Sequence, residues 1–310
     1  MYHRFNENKY PSTNIQVKDF KEQLQIIKDN KINFINPKQF GLSLKSEKKK
    51  KKVLLTIDDA FLSFYQNAWP ILKKEKIPFI LFVSTREVGS FNYMNWDQIR
   101  EIADEDFVHI GNHSHSHEYL VDYDSADIIN DIKKSISILK EEIGYNSEFF
   151  SYPFGEYSFE FKKIVEDLNF KYAFGQHSGV ADETKDLLEL PRFPINEKYG
   201  KVERFKKLLF TLPFKYKAIF PIDKYIDNSN NPPKVIIDFI DNIKDLKKMN
   251  CYSNEENEWR KSKITFVTDS QVEIKLMGKF TTERGRINCS LQDFGKYWRW
   301  LGIQFVILEN

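Results

Sequence analysis

The chain has 310 residues, 41% of them hydrophobic and 15% aromatic, with a formal net charge of +2. This composition describes a packed globular protein with more than one small core and excludes a disordered chain. The near balance of charge excludes a strongly basic nucleic-acid binder, and without a run of about 18 apolar residues no transmembrane helix is expected. No signal peptide is visible, so the chain as it stands reads as cytoplasmic, or as extracytoplasmic if a segment ahead of Met1 has been removed. The two cysteines, Cys251 and Cys289, are expected as buried free thiols in a chain so poor in cysteine.

In chain order, VKDFKEQLQIIKDN reads as a helix with Phe20, Leu24 and Ile27 at helical spacing. From Lys45 to Lys52 six of eight residues are lysine, a pattern that reads as a solvated loop. Val53 to Ile57 is an unbroken apolar or β-branched run, the signature of a strand buried on both faces of a parallel sheet. It ends in Asp58 and Asp59. Adjacent carboxylates oppose each other's ionisation, so such a pair wants a cation or a shared proton unless it is simply a solvated turn.

Residues 64–76 read as a helix that Pro70 either starts or kinks, and PFILFV, 78–83, as another buried strand. Asn95 caps the short helix NWDQIREIAD. Residues 107–117, FVHIGNHSHSH, hold four of the six histidines, three of them within five residues. His113 and His117 are four apart, the spacing that places two ligands on one face of a helical turn. Two imidazoles and one carboxylate leave a divalent metal an open position for water. The second carboxylate is then free to take a proton.

Ser125 to Ile143 carries an apolar helical stripe and stops at Gly144. Phe149 to Tyr152 is a strand, Ser158 caps a helix to about Asn169, and Tyr172 to Phe174 is a strand again. Strands alternating with helices predict parallel βα units. His177 lies in the loop after the last of these strands, as a general acid or as a structural histidine. Arg192, in PRFP, follows as either an active-site cation or a surface partner. Asn228 to Pro233 is a polar linker, beyond which short strands at 264–268, 272–277 and 303–308 make a small β domain. The rings of Tyr297, Trp298 and Trp300 are expected to fill its core rather than to stack on sugars.

Thr56-Ile57-Asp58-Asp59-Ala60 resembles the T-F-D-D-G motif of the polysaccharide deacetylases, the NodB-like carbohydrate esterases. His113-Ser114-His115-Ser116-His117 matches their H-[S/T]-x-x-H motif. The resemblance implies Asp58 as catalytic base and Asp59, His113 and His117 as metal ligands, with His115 at a variable position. Ser151-Tyr152-Pro153-Phe154-Gly155 matches R-x-P-[Y/F] in part: Pro153 and Phe154 fit, while Ser151 stands where the family has an arginine. Tyr152, Pro153 and Phe154 are then expected at the substrate, with a backbone N–H near Phe154 holding the oxyanion.

The resemblance covers roughly residues 1 to 200. It implies an α/β fold, a distorted (β/α)7 barrel, here over 1–227, with a small C-terminal β domain over 228–310. Zinc is the divalent metal it implies, and an N-acetylated glycan or polysaccharide the partner. Within it His177 is assigned as the acid and Arg192 as the replacement for the missing arginine, reaching Asp58 directly or through an acid such as Asp182. A catalytically inactive glycan-binding protein and a metal-dependent hydrolase of a small cyclic amide are the alternative readings.

Overall fold

The computed structural model describes residues 1–45, 51–240, 243–293, 295 and 297–308. Most of the lysine run, residues 46–50, lies outside the described residues. Five parallel strands, Leu55–Ile57, Phe79–Val83, Val108–Asn112, Phe149–Ser151 and Tyr172–Phe174, lie side by side in chain order. Their residues are almost continuously buried, as expected for strands covered on both faces. Tyr2 bridges Ile57 at one edge and Leu190 bridges Phe174 at the other, both parallel. The edges then meet: the Ile195 N–H donates to Met1 O at 3.0 Å, and the Met1 nitrogen donates to Phe193 O at 3.1 Å. Seven parallel segments thus curl into a closed α/β barrel.

Helices Val17–Asp29, Trp96–Ala103, Ser125–Ile143 and Phe159–Asp167 pack around it. Asn95 forms a reciprocal capping box with Gln98, and Asp124 caps the longest helix, which stops at Gly144 in the left-handed region. Pro70 starts the second of two short helices, Leu62–Asn67 and Trp69–Glu75, where its missing N–H is not needed. The apolar run at 53–57 is divided: Lys52–Val53 pairs with Asn33–Phe34, and only Leu55–Ile57 belongs to the barrel.

The C-terminal region is a sandwich. A six-stranded sheet built on Arg284–Gln292 and Trp298–Ile307 faces a four-stranded sheet built on Val235–Phe239 and Gln271–Lys275. Between them lies a separate core that includes Phe214, Ile237, Phe239, Ile287, Leu301 and Phe305. Leu212–Pro213 and Tyr225–Ile226 both pair with Trp298–Ile307, and Tyr216–Phe220 pairs with Val235–Phe239. These pairings draw residues 212–227 into the β region, so the strand pattern moves the division expected at 228 back to about residue 211.

Two further expectations change. Cys251 and Cys289 are opposite residues of neighbouring antiparallel strands and form a disulfide, not free thiols. Register, which spacing along the chain does not reveal, brings them together. Leu301, Ile303 and Phe305 face the sandwich core, so the alternation of a strand turns Trp298 and Trp300 to the opposite face. Trp298 is 39% exposed. The rings do not fill the core. Among the described residues no helix is long and apolar enough to cross a membrane.

Candidate metal centre and active site

The site forms at the C-terminal ends of the barrel strands, where α/β folds place their loops. Leu55–Ile57 delivers Asp58 fully buried, and its N–H donates to Tyr2 O at 2.9 Å. The chain leaves the strand through Asp59 and Ala60 at φ 75° and 56°, a left-handed turn that costs a non-glycine residue roughly 1–2 kcal/mol. That turn sends the two carboxylates to different tasks.

Asp59 faces two histidines. Its Oδ1 lies 3.3 Å from Nε2 of His113 and 3.1 Å from Nε2 of His117. The three donor atoms lie within 4.8 Å of one another. Asp59 Oδ1 is buried yet has no aligned hydrogen-bond donor. His113 commits its Nδ1 to Ser151 O at 2.6 Å, which leaves the Nε2 lone pair aimed at Asp59. Two imidazole nitrogens and one carboxylate oxygen converging in this way fit a divalent cation in open coordination. Burial on its own would raise the Asp59 pKa, but the close approach of the His113 and His117 rings holds it well below the ordinary value.

The histidine loop is not the helical turn expected from the spacing. Residues 113–117 form an irregular turn, left-handed at Ser114 and His117 with φ 65° and 53°. Local polar groups hold it: Asn112 Oδ1 accepts from Ser114 N–H at 2.9 Å, and Ser114 Oγ from His117 N–H at 3.0 Å. Asp131, on the Ser125–Ile143 helix, accepts from the N–H groups of His115 and Ser116 at 2.7 and 3.0 Å. His115 itself turns away and pairs with Thr85 Oγ1 at 2.8 Å. The i, i+4 spacing therefore brings two ligands together without a helix.

Asp58 faces a cation. Arg192 grips it with two bonds, Nη1 to Oδ1 at 2.7 Å and Nη2 to Oδ2 at 2.8 Å. The same guanidinium donates to Ser151 Oγ at 2.9 Å, Thr56 Oγ1 at 3.2 Å and Gly175 O at 2.9 Å. Ser151, small and hydroxylated, leaves room for this arginine to enter from the next strand edge. Asp182 takes no part and pairs with Lys185 at 3.0 Å instead. Burial would raise the Asp58 pKa; the charge of Arg192, then those of His113 and His3, outweigh it and hold the carboxyl below its ordinary value.

Among the described residues no hydrogen bond, ion pair or ring contact joins the His177 side chain to Asp58 or to the Asp59, His113 and His117 triad. The His177 ring lies beside Tyr157, with centroids 6.3 Å apart. Burial, together with the charges of Lys224, Arg192 and Lys185, lowers its pKa to about 4. The loop matters through its backbone, since His177 O accepts from Arg192 N–H at 3.0 Å. Tyr152 is also turned away: it is fully buried and its hydroxyl donates to Leu188 O at 3.0 Å. Pro153 is buried, whereas the Phe154 ring packs 4.8 Å from the His117 ring. Phase differences along the 151–155 turn thus leave only Phe154 of these three beside the metal ligands.

One residue absent from the sequence-derived set is His3. Tyr2 donates to Thr56 O and accepts from Asp58 N–H, both at 2.9 Å, so the next residue lies on the same rim as the carboxylates. The charge of His3 is coupled to Asp59, Asp58 and His113; burial lowers its pKa, against the pull of the two aspartates. A histidine at the end of an opening strand was the available signal.

Metal loading tests the triad. Asp59→Ala or His117→Ala is expected to lose stoichiometric binding of one divalent ion by calorimetry. The far-ultraviolet dichroism should stay native, because the barrel core is independent of these side chains. Unfolding of the chelated wild type would make the ion structural instead.

Comparison with known proteins places this geometry. Residues 45–173 match the family model for polysaccharide deacetylase. A Staphylococcus aureus poly-β-1,6-N-acetyl-D-glucosamine N-deacetylase is 27% identical over 192 residues, 57% of this chain and 66% of that protein. Among solved structures, a Streptococcus pyogenes deacetylase, PplD, in complex with acetate superposes with TM-score 0.61 at 25% identity, covering 67% of this chain and 96% of that one. IcaB from Ammonifex degensii gives TM-score 0.59 at 25% identity, covering 67% and 94%.

Proposed function

We propose that the chain is a polysaccharide deacetylase, whose family model residues 45–173 match, and that it hydrolyses N-acetyl groups from an amino-sugar polymer, a β-1,6-linked N-acetylglucosamine chain being the first candidate. One observation carries this reading. A buried carboxylate is held ionised by a bidentate arginine, next to a separate triad built to hold a metal. Binding a glycan requires neither the spare carboxylate nor its cation, which is why the inactive-protein reading ranks below it.

Asp59, His113 and His117 would hold the ion, with zinc the first candidate for this donor set. When bound, it supplies Lewis acidity toward the acetamide carbonyl and toward water. Asp58 accepts the proton of the attacking water, and Arg192 keeps it ionised and oriented for that transfer. The Phe154 N–H is available to the developing oxyanion, since the turn itself uses only the N–H groups of Gly155 and Glu156, which donate to Tyr152 O and Pro153 O. His3 is placed to hand a proton to the departing amine.

Two variants separate the histidines. His3→Gln should lower kcat about 100-fold with metal content unchanged, while His177→Gln should keep most of its activity per folded molecule. The reverse order would return the acid role to the His177 loop. The substrate class is tested by mass spectrometry of products from β-1,6- and β-1,4-linked N-acetylglucosamine oligomers and from small cyclic amides. Deacetylated oligomers support the reading, and ring-opened amides with untouched oligomers would overturn it. The Cys251–Cys289 disulfide supports an oxidising, extracytoplasmic setting over the cytoplasmic one.

A further inference from the structure

The turn that carries Phe154 does not stand on the barrel alone. Phe154 and Gly155 are both left-handed, at φ 59° and 77°. Two successive residues in that region are unfavourable for the phenylalanine and persist only where surrounding groups fix them. The fixing groups come from the C-terminal sandwich. Glu156, with its side chain 1% exposed, is paired with Nε of Arg284 from strand Arg284–Gln292. The other carboxylate oxygen, Oε2, is buried with no hydrogen-bond partner, so Arg284 supplies the counter-charge for this carboxylate. The Arg284 guanidinium also lies over the Phe154 ring, 5.6 Å from its centroid. Gln304, from the next strand, donates to Gly155 O at 3.4 Å. Beside it Gly302 touches the barrel so closely that a Cβ would stand 2.5 Å from Ser178 O, and only glycine permits that approach.

A chain of contacts therefore runs from the sandwich to the metal ligands: Arg284 to Glu156 and Phe154, and Phe154 to the ring of His117, 4.8 Å away. We propose that Arg284 is a positioning residue, and that the C-terminal β region clamps the oxyanion turn of the barrel so that the Phe154 N–H and ring are held in place for catalysis. The appended sandwich is then part of the catalytic unit, not a passive attachment. This inference rests on the deacetylase reading for its kinetic consequences, but not for the structural ones. Arg284 acts through the turn and does not touch the triad, so metal binding should not depend on it. Its loss should appear in kcat, because an oxyanion donor acts in the transition state and contributes little to ground-state binding.

The experiment uses the full chain. Arg284→Met keeps the stem over Phe154 and removes the charge, which leaves Glu156 buried without a counter-ion. The double variant Arg284→Met/Glu156→Gln removes that stranded charge, so it separates stability from positioning. Removing an oxyanion donor outright lowers kcat by about 10²–10³, so loosening it should cost about 10–100-fold. The double variant is expected to recover most of the thermal stability yet to keep this deficit in acetate release, with KM within about 2-fold and metal content unchanged. Arg284→Lys, which restores a charge, should recover part of kcat. Amide hydrogen exchange across residues 152–157, measured in the same proteins without substrate, should show the turn opening faster in the double variant.

A double variant with wild-type kcat and unchanged exchange would reduce Arg284 to a counter-charge and overturn the proposal. The exchange readout also distinguishes two failures. A wild type that releases no acetate while the double variant still loosens the turn would overturn the assigned reaction and leave the clamp standing.

Discussion

Asp58→Asn is expected to abolish turnover while leaving metal binding and fold intact. The substitution keeps the shape of the side chain and removes the site carboxylate that lies outside the metal triad; its loss should lower kcat by about 10²–10⁴-fold. Asp59, not Asp58, converges with His113 and His117, so the ion content of the variant should equal that of the wild type. The variant also leaves Arg192 facing a neutral amide in a buried site. A moderate loss of stability is therefore expected alongside the loss of activity, and kcat has to be expressed per folded, metal-loaded molecule. Retained activity in such a preparation would remove Asp58 from the reaction.

Arg192→Met should have the next largest effect, on both rate and stability. Its side chain is 4% exposed and that of Asp58 fully buried, so solvent screens the pair little. Breaking a buried pair by removing one partner typically costs about 3–5 kcal/mol. The pH dependence follows from the direction of the Asp58 shift, which is downward in the folded protein. A depressed carboxylate pKa contributes stability that is present above the unfolded value, about 3.9, and lost as the pH falls through the folded value. Without Arg192 the folded pKa rises, so this contribution disappears and the acid limb of the pH–rate profile moves upward. A profile unchanged in position would mean that the cation neither keeps Asp58 ionised nor turns it.

The parts of this site that were legible in the sequence are those carried by contiguous residues. The strand ending in Asp58 and Asp59 and the histidine pair each lie within a few residues of chain, and their residue types have few other uses. Arg192 was harder to place, since Ser151 announces only that a charge is missing. The structure shows how the guanidinium reaches this place: it enters from the 190–192 edge and bonds the hydroxyl of Ser151, which stands where the arginine would be. His3 escaped notice because its segment joins the barrel through a single bridge at Tyr2, too short for any periodicity. The histidine loop was given the right spacing and the wrong conformation, because a turn with two left-handed residues satisfies i, i+4 as well as a helix does.

The C-terminal region was read least well. Arg284–Gln292 alternates buried and partly exposed residues along its length, but arginine, asparagine and serine on its outer side obscure the strand. Pairing across the sheet, which decides both the disulfide and the boundary near residue 211, has no local signature. The clamp on Glu156 is of the same kind: it joins residues 128 positions apart, and nothing near either of them points to the other.

The most direct test of the central claim is acetate release from a β-1,6-linked N-acetylglucosamine oligomer by protein stripped of metal and then reloaded with single divalent ions. The account predicts no release from the stripped protein, recovery on adding about one equivalent of zinc or another divalent ion, and an unchanged fold throughout. Fully loaded, folded wild-type protein that releases no acetate from this or any other N-acetylated glucosamine polymer would contradict it.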